Sequence, residues 1–183
     1  LASLSSRNVN HRQVIVKSGA IEPLVGLMGN GSRSDKNTPP ERAAAVLSDL
    51  ARLVETKTDL ARAGGILPLV TMLSSGCEDA RKNAACALFH LSMNADNKTA
   101  IASSGGIQRL VSVLAAGNVE AVRHAAGTLW QLASSSDNKN AIAAANGIPP
   151  LVAVLLLSDE KSSEEADEHL SAPTPRRSGV VML

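Results

Sequence analysis

The sequence predicts an all-α protein, a solenoid of repeated three-helix units. Three observations predict it: one short motif recurs four times at nearly constant spacing, each copy divides into helix-periodic pieces, and the composition suits helices packed on helices. The motif reads Ser18-Gly-Ala-Ile-Glu-Pro-Leu-Val25, then Ala63-Gly-Gly-Ile-Leu-Pro-Leu-Val70, Ser104-Gly-Gly-Ile-Gln-Arg-Leu-Val111 and Ala145-Asn-Gly-Ile-Pro-Pro-Leu-Val152. Its anchors Ile21, Ile66, Ile107 and Ile148 are separated by 45, 41 and 41 residues.

The first helix of a unit is short and opens on Asp-Asn-Lys. Asp96, before Asn97 and Lys98, is placed to cap it, and Asp137 stands likewise before Asn138 and Lys139. A sharp turn follows, for which Gly19, Gly65, Gly106 and Gly147 are expected to supply positive φ. The second helix places Ile107, Leu110, Val111 and Leu114 on one apolar stripe. The third, from about Glu120 to Ala133, turns Ala125, Leu129 and Leu132 inward; Ala84, Leu88 and Leu91 match them in one earlier copy, Ala43, Leu47 and Leu50 in another. Alanine at these positions lets helices approach closely.

The composition agrees. Among 183 residues, 44% are apolar and 19% charged, with one Phe, one Trp and no Tyr, so the core must be aliphatic. A formal charge of +1 removes the usual electrostatic reason to expect nucleic acid. Cys77 and Cys86 form no framework and point to a reducing compartment, cytoplasmic or nuclear. The apolar run Leu151 to Leu157 is too short for a bilayer, which takes roughly 20 residues, so no integral membrane segment is expected. The chain starts at Leu1 without a signal peptide and reads as a piece of a longer protein.

The units divide as 1–9, the end of a truncated repeat; 10–55, a repeat with a four-residue insertion; 56–96 and 97–137, full repeats; 138–171, a degenerate repeat serving as a cap; and 172–183, a disordered tail. The insertion falls in Gly29 to Pro40, rich in Gly, Pro, Ser and Asn. In the truncated front, Leu1 and Leu4 match Leu88 and Leu91, while in the cap Ala166 and Leu170 keep the third-helix spacing amid polar residues. Residues 158–183 hold six acidic and three basic side chains, which leaves fifteen basic against eleven acidic in the body, a balance of +4.

The Asn-Lys start, the Gly-Ile-x-x-Leu-Val turn and helix, and Ala-Ala-x-x-Leu-x-x-Leu in the third helix resemble the armadillo repeat family across about residues 1–157. That resemblance implies a right-handed superhelix whose third helices line a concave groove for extended peptides or partner proteins, with no enzymatic activity and no cofactor. The stretch Glu78 to Lys98 looks most like the armadillo regions of U-box ubiquitin ligases and of vacuolar armadillo proteins; in the former, the repeats select substrate.

Helix geometry names the residues for such a groove. With Leu88 inward, the 100° step sends Asp79, Asn83, Cys86, His90 and Met93 outward, with Lys82 on their edge. Glu41, Arg42, Ala45 and Asp49 form the matching ladder before them, and Arg123, His124, Gly127 and Gln131 the one after; Ser3 and Asn10 continue it at the front. Trp130, equivalent to Phe89, flanks the last ladder, placed either to pack between units or to stack on a partner. A plain solvated helix face is the alternative to the whole ladder, and structural spacer repeats within a longer solenoid are the alternative to a binding role. Importin-alpha proteins, which resemble this fold, carry Trp and Asn where this chain has Cys86 and His90, so their grip on basic peptides is not expected here. Cys86 is expected to be a small surface residue.

No other chemistry is legible. His11, His90, His124 and His169 lie in different units, away from metal spacing, and no Ser sits in a nucleophile elbow. The Gly-Gly pairs lack the Lys-Ser/Thr ending of a phosphate loop. Arg176-Arg-Ser178 resembles a basophilic kinase site. The expected partner is a protein or peptide, with no metal, small-molecule substrate or nucleic acid.

Overall fold

The computed structural model describes residues 9–29, 39–75, 77–116 and 118–156. Among them run helices α1 (Val9–Lys17), α2 (Ile21–Gly29), α3 (Pro39–Leu50), α4 (Val54–Arg62), α5 (Ile66–Ser75), α6 (Glu78–Leu91), α7 (Ala95–Ser103), α8 (Gly106–Ala116), α9 (Val119–Leu132), α10 (Ser136–Ala144) and α11 (Ile148–Leu156). The order repeats in threes, a short first helix, an apolar second and a long third. Residues 30–38 of the loop insertion, the truncated front with Leu1, Ser3 and Leu4, the worn third helix around Ala166 and Leu170, and the tail lie outside the described residues.

The stacking follows from the stripes. Third helices α3, α6 and α9 pack side by side in one row, and second helices α2, α5 and α8 form another against them. Ala84, Leu88 and Leu91, together with Ala125, Leu129 and Leu132, are fully buried between the rows, as the inner-stripe spacing predicts. Ala80, Ala85 and Ala87 are buried as well, which makes α6 small enough on its flanks to be covered from both sides.

The turn after each first helix differs from expectation by one residue. Positive φ falls on Gly19 at 74°, Gly64 at 77°, Gly105 at 73° and Asn146 at 55°, so of the four predicted positions only Gly19 takes it. The hydrogen bonds show why: Gly64 N–H donates to Ala61 O at 3.0 Å and Gly65 N–H to Leu60 O at 3.0 Å, a Schellman closure in which the first glycine must be left-handed. Gly106 serves close approach instead, because a Cβ there would meet the carbonyl oxygen of Ile101 at 2.6 Å.

The cap also moves. Asn94, not Asp96, caps α7, its Oδ1 accepting from the N–H groups of Asp96 at 2.9 Å and Asn97 at 3.2 Å. Asp137 likewise sits inside the first turn of α10, after Ser135. Asn97 itself is buried and ties units together, its Nδ2 donating to Leu91 O and to Lys57 O, both at 3.1 Å. Among the described residues no single helix is long and apolar enough to cross a membrane; α10 and α11 reach that composition only as a pair bent by 90°.

Candidate partner-binding face

The outer face of the α3–α6–α9 row carries the predicted ladder. Gly127 sets its tightest point, because a Cβ there would lie 2.7 Å from Cε2 of Phe89, so only glycine lets that ring lie across α9. The ring then stands edge-on to His90, centroids 5.3 Å apart, and tilted against His124 at 5.7 Å. Two repeats thus meet through an aromatic and two imidazoles.

Both imidazoles are half-buried and held neutral. Burial, then Arg52, the competing protonation of His124, and the charges of Lys57 and Arg12 push the His90 pKa down to about 4. Burial followed by Arg123 and Arg52 lowers that of His124, with Glu120 opposing. Cys86 corrects an expectation: only 8% exposed, it is a buried floor residue and not a surface one. Burial raises its thiol pKa, although the nearby Arg52 pulls the other way.

The remaining predicted residues fall into two settings. Asp49, Lys82, Asn83 and Gln131 are half-buried along the same face. Lys82 bridges α6 to α9, its Nζ lying 3.6 Å from Asp79 and 3.5 Å from Glu120. Arg42 is exposed two helical turns before Asp49, outside the imidazole cluster, and Arg123 is exposed beside His124. Trp130 is 78% exposed, presenting its ring rather than burying it.

Sequence reasoning missed the cationic border of this face. Lys57 Nζ donates to Sδ of Met93 at 3.4 Å, and Lys98 Nζ to Oγ of Ser134 at 3.1 Å, so each first helix reaches the C-terminal end of the third helix in its own unit. Lys98 and Lys139 then flank a cavity of about 660 Å³ lined also by Met93, Trp130, Gln131 and Ser134. The signal was the 41-residue recurrence of Lys57, Lys98 and Lys139, which reads first as a helix-start motif. Among the described residues no cluster of three or more His, Cys, Asp or Glu side chains is placed to hold a metal.

Residues 54–93 and 94–134 each match the family model of the armadillo/beta-catenin-like repeat. Residues 54–134 are two armadillo repeats. Solved structures agree on the fold. A computationally designed armadillo repeat protein for modular peptide recognition superposes with a TM-score of 0.75 at 24% identity, over 84% of this chain and 64% of that one. Another designed armadillo repeat protein, solved in complex with the peptide (KR)4, gives a TM-score of 0.72 at 24% identity, over 84% and 64%. An engineered protein reaches 30% identity with a TM-score of 0.74, over 90% of this chain and 66% of the other. The chain therefore spans 64% of the length of the designed armadillo proteins it resembles. No curated protein matches the sequence.

Proposed function

We propose that this armadillo solenoid is a protein-interaction module whose α3–α6–α9 face holds an extended segment of a partner. The observation that carries the reading is the half-burial of a polar row: Asp49, Asn83, His90, His124 and Gln131 are neither in the core nor fully solvated. A plain solvated helix face would leave such side chains extended into water, whereas a recessed one keeps amides and imidazoles at fixed positions where they meet a peptide backbone. A designed armadillo repeat protein binding (KR)4 supports the mode of engagement, not the choice of peptide.

A second reading keeps the same face and makes it the substrate-selecting arm of a U-box ubiquitin ligase. The resemblance of residues 78–98 favours it, and a U-box encoded in the same reading frame would decide it.

Selection of random dodecapeptides on the folded chain tests the first reading. Enriched peptides should bind, and Asn83→Ala with Gln131→Ala should weaken them several-fold while the helical circular-dichroism signal and the melting temperature stay put. Failure to enrich any peptide, or binding indifferent to both substitutions, overturns it.

A further inference from the structure

Lys57, Lys98 and Lys139 recur at intervals of 41 residues, and each is the fourth residue of its helix, α4, α7 and α10. Repetition in a solenoid converts sequence period into a row in space. The first two ammonium groups rest on neutral atoms, Sδ of Met93 and Oγ of Ser134, and among the described residues none of the three forms an ion pair. The other end of the face is different, since Lys82 is already matched by Asp79 and Glu120. The C-terminal ends of α6 and α9 thus keep lysines outside any ion pair and form the more positive end of the face, although α3 carries Asp49 at the equivalent end. Arg52, which stands one repeat before Met93 and two before Ser134, adds to the positive end.

We propose that this lysine row takes an extended acidic segment of a partner protein, with about one carboxylate side chain to each repeat and a side chain laid on the exposed ring of Trp130. The proposal rests on the reading of the face as a peptide groove and names the chemistry of its occupant. Packed helices lie roughly 8–10 Å apart and an extended chain advances about 3.3 Å per residue, so one repeat spans about three residues. A segment carrying an acidic residue every two or three positions meets each lysine in turn. Between Lys98 and Lys139, the cavity of about 660 Å³ offers the Ser134 hydroxyl and the Gln131 amide beside the two cations, a set of donors that suits carboxylate and backbone carbonyl alike. A nucleic acid fits less well, because Asp49 and Glu120 on the same face would repel a polyanion whose charges cannot be spaced to avoid them.

The competing role for these lysines is structural, as counter-charge for the C-terminal ends of α6 and α9. Direct titration separates the two. Labelled (Asp-Glu)4, (Lys-Arg)4 and the oligonucleotide (dT)8 would be titrated against the chain at low salt by anisotropy, with Trp130, the one tryptophan, as internal reporter. The acidic octapeptide should bind, perturb Trp130 emission and weaken with added salt; the triple variant Lys57→Glu, Lys98→Glu, Lys139→Glu should lose at least roughly tenfold in affinity, the scale of a few exposed ion pairs, at unchanged melting temperature. Tighter binding of the basic peptide or of (dT)8 overturns the acidic assignment while leaving a binding face standing. Equal binding by the variant, or a melting temperature that falls with it, also overturns the assignment in favour of the structural role. If neither these probes nor selected dodecapeptides bind, the groove reading falls with it.

Discussion

The repeats at 54–93 and 94–134 match the same family model, yet they are held by different local means. Helix α7 starts on Asn94, whose side chain accepts two backbone N–H groups, and Asn97 fastens it to Leu91 O and Lys57 O. Helix α4 starts on Leu53, which offers no side-chain cap, and Thr56 in the position of Asn97 is fully buried with its hydroxyl unpartnered. A threonine side chain is too short to span what the asparagine amide spans. Both helices nevertheless form, nine residues each, because the packing of the repeat fixes them and the polar ties add to a structure already determined.

The largest effect separates what the repeats share from what divides them. Leu88→Ala, in the helix covered by α3 on one side and α9 on the other, should cost about 2–5 kcal/mol and lower the stability of both repeats together. Chemical denaturation reads this, and an unmoved midpoint would show that the rows are not one cooperative stack.

The next pair sharpens the contrast. Asn97→Ala removes two buried hydrogen bonds, a loss of about 1–3 kcal/mol at roughly 0.5–1.5 kcal/mol each, whereas Thr56→Val relieves an orphaned hydroxyl and should stabilise by about 1 kcal/mol. Opposite signs at equivalent positions are expected in thermal unfolding; equal signs would mean that the two positions do the same work.

The smallest effect belongs to the seam between the repeats. With its folded pKa at about 4 against the ordinary 6.5, His90 leaves the unfolded chain binding the proton between those values, so stability rises with pH through that window and is lost as pH falls from 6.5 toward 4. The cations facing it from neighbouring elements, Arg12, Arg52 and Lys57, keep the shift in that direction. Melting temperatures at pH 7 and pH 5 should differ less in His90→Gln than in the parent, with a residue of the slope left by His124, which is shifted the same way.

Much of this was legible from residue spacing. The recurrence at Ile66, Ile107 and Ile148 announces the unit, and the Ala84-Leu88-Leu91 pattern names the buried stripe. The glycine turn was legible only to within one residue, because Gly64 and Gly65 are alike in sequence and differ only in which must turn and which must lie against Leu60. Outward direction on α6 was legible for His90, but exposure was not legible for Cys86, since a helical wheel cannot show how far the neighbouring α3 and α9 bury a small side chain between them.

By itself the sequence determined how many residues make a unit, which helices it contains and which of their faces are apolar. Those are properties of a chain segment and its 3.6-residue period. Tertiary structure alone decided that Phe89 crosses Gly127 to reach His124, that Asn97 binds a neighbouring unit, and that Lys57 and Lys98 arrive beside Met93 and Ser134. Each of those contacts joins residues about 35 to 40 positions apart, and their distance is set by how the helices of one repeat fold together and how one repeat stacks on the next, which no local pattern encodes.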